Sequence, residues 1–123
     1  MAQLDSVVKQ FNEIDGIKIH KAKIEAENMD QLKAFGDELR LKIKNGVGVL
    51  IADVEGKAGI VCVVSDDLIK EKKLSAGKIV GDLAKLVGGG GGGRPHLATA
   101  GGRDVTKISE ALDNVESIVK KQL

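Results

Sequence analysis

Aromatic residues are almost missing from this sequence: Trp and Tyr are absent, and Phe11 and Phe35 are the only two rings. Recognition of single strands by base stacking needs aromatic platforms, so that mode is excluded. A lone cysteine, Cys62, excludes an internal disulfide framework and a multi-cysteine zinc site. Two histidines, His20 and His96, leave little material for a histidine-based metal centre. No apolar run approaches the roughly 18 residues of a membrane span, and the first residues lack the apolar core of a secretory signal. The expectation is a soluble, cytoplasmic domain with no membrane partner.

What remains is a chain of 123 residues, enough for one domain, with 42% hydrophobic residues. Without rings, the core must be built from Ile, Val, Leu and Ala. The net charge is only +1, but it is unevenly spread. Between Leu68 and Lys107, eight Lys and Arg face three Asp and Glu, a local excess of +5. Such a strip is either a solvated lysine-rich surface or a local meeting place for an anion.

Leu4, Val7, Val8, Phe11 and Ile14 recur at helical spacing, which predicts an N-terminal helix over 1–15 stopped by Asp15-Gly16. It stands apart from a globular unit over 16–123, either docked on it or ending a longer helical segment. Ile17 to Ala26 alternates with a phase slip near His20, read as a strand with a bulge. Asn28-Met29-Asp30-Gln31 has capping-box form, and Leu32, Phe35, Leu39 and Ile43 continue at helical spacing to Asn45-Gly46. The apolar runs Val47–Val54 and Ala58–Val64, joined by Glu55-Gly56-Lys57, form a buried hairpin. Cys62 within it reads as a small core residue rather than a reactive thiol. A polar connection from Ser65 to Lys73 follows, in which Asp66-Asp67 reads as capping rather than metal ligation. Ser75 caps a helix carrying Ile79, Val80, Leu83, Leu86 and Val87 on one face. Leu97–Ala100 is a short strand, and Asp104 caps a last helix with the stripe Ile108, Ala111, Leu112, Val115, Ile118 and Val119. This order gives an α/β (α+β) domain: a small mixed β-sheet with flanking helices and a glycine-rich loop.

Gly88 to Gly93 are six glycines in a row, each ordered at a higher entropic cost than Ala. One reason for them is flexibility. The other is close approach, in which bare backbone N–H groups line a concave anion nest beside the planar donor fork of Arg94. Gly92 is then expected to reject a β-branched residue. Gly101-Gly102-Arg103 leads into the last helix, whose N-terminus is a second anion site. The run follows a helix rather than a strand, so it is not a dinucleotide fingerprint, and no G-K-[ST] follows it. No serine has a nucleophile motif around it, and no catalytic constellation is visible.

Gly91-Gly92-Gly93-Arg94-Pro95, followed by Ala98 and Ala100-Gly101-Gly102, resembles the signature of the DHHA1 domain. Within that superfamily it is similar to the C-terminal domains of alanyl-tRNA synthetases. Gly56-Lys57-Ala58-Gly59 and Leu74-Ser75-Ala76-Gly77-Lys78-Ile79-Val80 fit the same pattern, and the likeness covers roughly Ile17 to Leu123. The phosphoesterase branch usually places a His directly after its glycines, where this chain has Arg94. Departures from the synthetase pattern are Gly90, where Lys is common, His96, where an acid is common, and Thr99, where an amide is common.

The resemblance implies a non-catalytic module that contacts the outer corner of alanine-specific tRNA by backbone and shape and supports aminoacylation and editing. Its nucleic-acid-binding residues would be Gly91, Gly92, Gly93, Arg94, His96, Gly101, Gly102, Arg103, Lys78 and Lys85. It also implies partner domains in a parent synthetase and a homodimer through upstream helices. ATP and zinc would belong to other domains, with no cofactor in this one. Two other readings stay open: the substrate-binding domain of a DHH-type phosphoesterase, and an oligomerisation module using the N-terminal stripe.

Overall fold

The computed structural model describes residues 2–123. Met1, which begins the expected N-terminal helix, lies outside the described residues. The chain runs α1 (Ala2–Lys9), β1 (Asn12–Ile14), β2 (Ile17–Lys23), α2 (Met29–Lys42), β3 (Gly46–Val54) and β4 (Lys57–Val64). Then follow α3 (Asp66–Lys72), α4 (Ala76–Leu86), β5 (Gly89–Gly93), β6 (Leu97–Gly102), a 3-10 turn (Val105–Lys107), α5 (Ile108–Asp113) and α6 (Val115–Lys121). The strands make one mixed sheet in the order β1-β2-β3-β4-β6-β5. The β2–β3 pair is parallel, with α2 as its crossover, and the remaining neighbours are antiparallel.

The hairpin β3–β4 is the centre. Of the nine residues of β3 only Asp53 is exposed, and of β4 only Lys57. Alternation sends Val47, Val49, Ile51, Ile60, Cys62 and Val64 into one core, under α3 to α6. Leu50, Ala52, Val54, Val61 and Val63 enter the other, under α1 and α2. Strands buried on both faces read as continuous apolar runs, which is why these two were visible in the sequence. The Asn28 carboxamide caps α2, accepting from the Gln31 N–H at 2.8 Å. The Gln31 side chain accepts in turn from the Glu27 N–H at 2.7 Å, one residue outside the expected capping box. Cys62 is fully buried, and burial pushes its thiol pKa far up, as expected of an inert core residue.

Five features differ from the sequence reading. The N-terminal helix stops at Lys9, and Asn12–Ile14 is a strand instead. Asp15 and Gly16 both have positive φ, 50° and 81°, so this pair closes a tight hairpin rather than capping a helix. The β2–β3 register is continuous from Lys18 to Lys23, with no bulge at His20. The apparent phase slip arises because Ile17 and Ile19 face one core while His20 and Ile24 lie on the α1–α2 side. Residues 66–72 form α3 rather than a polar connection, with Asp66 and Asp67 in its first turn, where carboxylates suit the helix dipole. The last helix is interrupted at Asn114, whose side chain donates to the Glu110 carbonyl at 2.8 Å.

α6 is tied to the sheet by one carboxylate. Glu116 accepts from Lys21 Nζ at 2.6 Å and from Asn12 Nδ2 at 2.7 Å. Burial raises the Glu116 pKa, but the bonds from Lys21 and Asn12 outweigh it and hold the group below the ordinary glutamate range. Its contribution is therefore complete above the unfolded pKa and lost as pH falls through the folded one. Glu116→Gln is expected to destabilise by about 1 kcal/mol at pH 7. Urea melts at pH 7 and at successively lower pH check this: the gap between wild type and variant should narrow as the pH falls.

Candidate functional site

The glycine run is an edge strand, not a loop. β5 pairs antiparallel with β6, from Gly89↔Gly102 to Gly93↔Ala98, and all five of its residues are exposed. In this geometry half of the N–H and C=O groups face β6 and half point outward along the open edge. They do not converge, so the expected concave nest is replaced by a flat, edge-on array.

Close approach is why glycine is required here. A Cβ on Gly91 would lie 2.4 Å from Ala100 Cβ and 2.6 Å from the Thr99 carbonyl oxygen. On α4, a Cβ on Gly77 would lie 2.7 Å from the Gly93 carbonyl oxygen. Helix and edge strand thus meet backbone to backbone. Gly92 corrects the sequence expectation: a Cβ there meets nothing within 4 Å. Gly90 is equally open, so the Lys common at that position in the synthetase branch fits.

α4 covers β4, β5 and β6 on one face, while on the other α2 packs mainly over β3 and β4. The α2 side of the β5–β6 ribbon is left as an open trough with two cavities of about 440 Å³ each. The first is walled by Lys33 and Asp37 of α2, with Gly92, Gly93, Arg94, His96 and Thr99. The second is more apolar, with Met29, Val54, Ala58, Gly101, Gly102 and Arg103 among its walls. Arg94 and Arg103 stand at opposite ends of the ribbon, both exposed. Neither makes a side-chain hydrogen bond or ion pair within the described residues. The Arg94-Pro95-His96 turn is held by its backbone: Ala76 N–H donates to Pro95 O at 2.9 Å, Val64 N–H to His96 O at 3.2 Å, and Arg94 N–H to Leu97 O at 3.1 Å. A fixed turn thus carries a free guanidinium with five donors.

Eight of the ten expected site residues lie on the β5–β6 ribbon and its ends: Gly91, Gly92, Gly93, Arg94, His96, Gly101, Gly102 and Arg103. Lys78 and Lys85 do not join them. They are exposed on α4, away from both cavities, and Lys85 sits 4.0 Å from Asp82. The second expected anion site is already filled: Asp104 accepts from the Thr106 N–H at 3.0 Å and from its hydroxyl, at the start of a single 3-10 turn. The Thr106 hydroxyl, aided by Lys107, holds the Asp104 carboxyl below its ordinary range. Sequence reasoning missed Met29, Lys33 and Asp37. Their spacing of four residues places them on one helical stripe, a signal weakened because they are not alike chemically. Among the described residues, no three His, Cys, Asp or Glu side chains gather as metal ligands, and no helix is long and apolar enough to cross a membrane.

Comparison with known proteins adds three findings. The DHHA1 domain family matches residues 16–121. The chain is 43% identical over 122 residues to alanine–tRNA ligase of Desulfitobacterium hafniense, and 44% identical over 118 residues to that of Geobacillus thermodenitrificans. It covers 99% and 96% of itself in these matches but spans only 14% and 13% of those relatives' length. Its fold is similar to the C-Ala domain of Aquifex aeolicus alanyl-tRNA synthetase, with a TM-score of 0.79 and 25% identity, covering 89% of this chain and 97% of that one. An exopolyphosphatase-related protein from Bacteroides fragilis shares the fold alone, at a TM-score of 0.55 and 13% identity over 98% of this chain and 34% of that one.

The two glycines should separate stability from surface access. Gly91→Val should destabilise the domain by about 2 kcal/mol or more, because the strand must shift. Gly92→Val should leave the melting temperature within a few degrees of wild type while placing a side chain on the trough floor. Equal melting losses in both would contradict the geometry.

Proposed function

The chain belongs to the DHHA1 domain family, and we propose that it is the tRNA-binding C-terminal domain of an alanyl-tRNA synthetase. The observation that carries this is the open β5–β6 ribbon, bare of side chains along β5 and ending in two arginines that have no partner among the described residues. A flat backbone surface lets a structured RNA approach closely, and guanidinium groups suit phosphate oxygens. Structured RNA is read largely by shape, phosphate and 2′-OH contacts, for which aromatic platforms are unnecessary. The outer corner of alanine-specific tRNA is the surface we assign to it. Asp37, beside Lys33 in the polar cavity, disfavours an indiscriminate polyanion.

A module of net charge +1 binds weakly by itself. Tethering to the other synthetase domains raises its effective concentration and makes that grip useful. In this reading aminoacylation, editing, ATP and zinc belong to those other domains. Two residues of the N-terminal stripe, Leu4 and Val7, are buried in the core under α1 and α2, while Phe11 stays exposed.

Tethered or alone, the domain should bind tRNA with affinity that falls steeply with salt. Anisotropy titration at low salt tests this; no binding, or equal affinity for heparin, overturns the proposal. Arg94→Ala should weaken binding about five- to tenfold and reduce the salt slope by about one, without lowering the melting temperature. Gly90→Lys should shift both binding quantities the opposite way.

A further inference from the structure

We propose that Asp37 is a specificity-determining residue of the polar cavity, where its carboxylate accepts a hydrogen bond from a ribose 2′-hydroxyl of the bound RNA. This deepens the RNA-binding reading above and rests on it. A nucleic-acid backbone presents phosphate oxygens, which only accept. RNA adds one further backbone group, the 2′-hydroxyl, which also donates. An ionised carboxylate only accepts. Placed where phosphates gather, it is repelled by them and gains from a donor alone.

Asp37 stands in such a place. It is the one acid lining a cavity whose other charged groups are Lys33 on the same helix and Arg94 on the ribbon, with His96 as the further titratable side chain. The floor is bare at Gly92, where even a Cβ would meet nothing within 4 Å, so a ribose can come down close to the backbone. Thr99, opposite Gly92 in the β5–β6 register, adds a hydroxyl to that floor.

Nothing inside the chain accounts for the residue. Asp37 lies in the middle of α2, past the first turn, where the helix dipole favours a carboxylate, and aspartate is a weak helix former. The cap of that helix is Asn28. The Asp37 carboxylate has no hydrogen bond or ion pair among the described residues. Lys33, one turn earlier, does not pair with it, and a lysine placed four residues before an acid is the less favourable order for such a pair. Both side chains are exposed and stay free for a partner.

The two lie on one stripe of α2, so a strand running along this wall meets a cation and then an acceptor. Phosphate on Lys33 or Arg94 and 2′-hydroxyl on Asp37 are different groups of one backbone, and together they set its register. DNA lacks the second group and is left with an acid against its phosphates. Base N–H groups also donate, but drawing a base out of its stack needs an aromatic platform, and neither Phe11 nor Phe35 lines this cavity.

A double-mutant cycle between protein and RNA tests this. An alanine tRNA transcript is compared with the same transcript carrying 2′-fluoro in place of its 2′-hydroxyls, which keeps A-form sugars but removes the donor. Each is titrated by anisotropy at low salt against the wild-type chain and Asp37→Ala. Fluorination should cost the wild type about tenfold more affinity than it costs the variant, the weight of one hydrogen bond to a charged group. Any effect of fluorine on RNA folding is common to both proteins and cancels in this ratio. Asp37→Ala should melt within a few degrees of wild type, as expected of an exposed residue without a partner. An equal fluorine effect in both proteins overturns the inference. Asp37→Ala would then strengthen both RNAs alike if the carboxylate is merely a repulsive charge, or weaken both alike if its donor is a base N–H. Binding without coupling removes this inference alone, whereas no binding of the unmodified transcript to the wild type overturns the RNA-binding reading and this inference with it.

Discussion

Burial of β3 and β4 on both faces is the constraint from which the rest of the molecule follows. Two adjacent strands with hardly an exposed residue need an apolar cover above and below, because each buried aliphatic side chain contributes about 1.5–3 kcal/mol only if water is excluded. α2 provides one cover through Leu32, Phe35 and Leu39, and α4 with α5 and α6 provides the other. α2 has only 14 residues and packs mainly over this central pair. The outer ribbon is therefore covered by α4 on one face and open on the other. The candidate site is the part of the sheet that α2 does not reach.

The same arrangement explains an all-glycine strand. α4 is drawn toward the sheet by the core that Ile79, Val80 and Leu83 share with β4 and β6. At that distance Gly77 and Gly93 touch through backbone, and side chains on alternate residues of β5 would strike β6. Gly90 and Gly92 are free of this demand, so steric need does not account for every glycine in the run. At those two positions the consequence is a bare surface, which matters to a partner rather than to the fold.

The charged residues divide in a parallel way. Lys21 works inside the structure, joining β2 to Glu116 and the Leu112 carbonyl, and Arg40 is paired with Asp66 between α2 and α3. Arg94 and Arg103 have no such internal partner among the described residues. A nearly neutral chain thus uses paired charges to hold helices to the sheet and leaves two separate guanidinium groups at the ends of the β5–β6 ribbon.

Much of this was legible in the residues. The doubly buried hairpin, the Asn28 cap, the stripe of α4 and the glycine–arginine signature are local patterns, and local patterns are what helical and strand periods report. The sequence could not reveal what depends on distant neighbours. Asp15-Gly16 ends a helix or closes a hairpin with equal ease, and only pairing between β1 and β2 chose the hairpin. The glycine run carries no alternation, so only hydrogen bonding to β6 made it a strand. Lys78 and Lys85 looked like neighbours of Arg94 because they are close in sequence, yet the helix turns them away, while Lys33 and Asp37 arrive from 55 or more residues earlier. By itself the sequence determined the secondary structure wherever burial imposes a period, and the family with it. Tertiary packing alone decided which face of the sheet stays open and which cations stand beside it, because both follow from how far one helix extends across the strands.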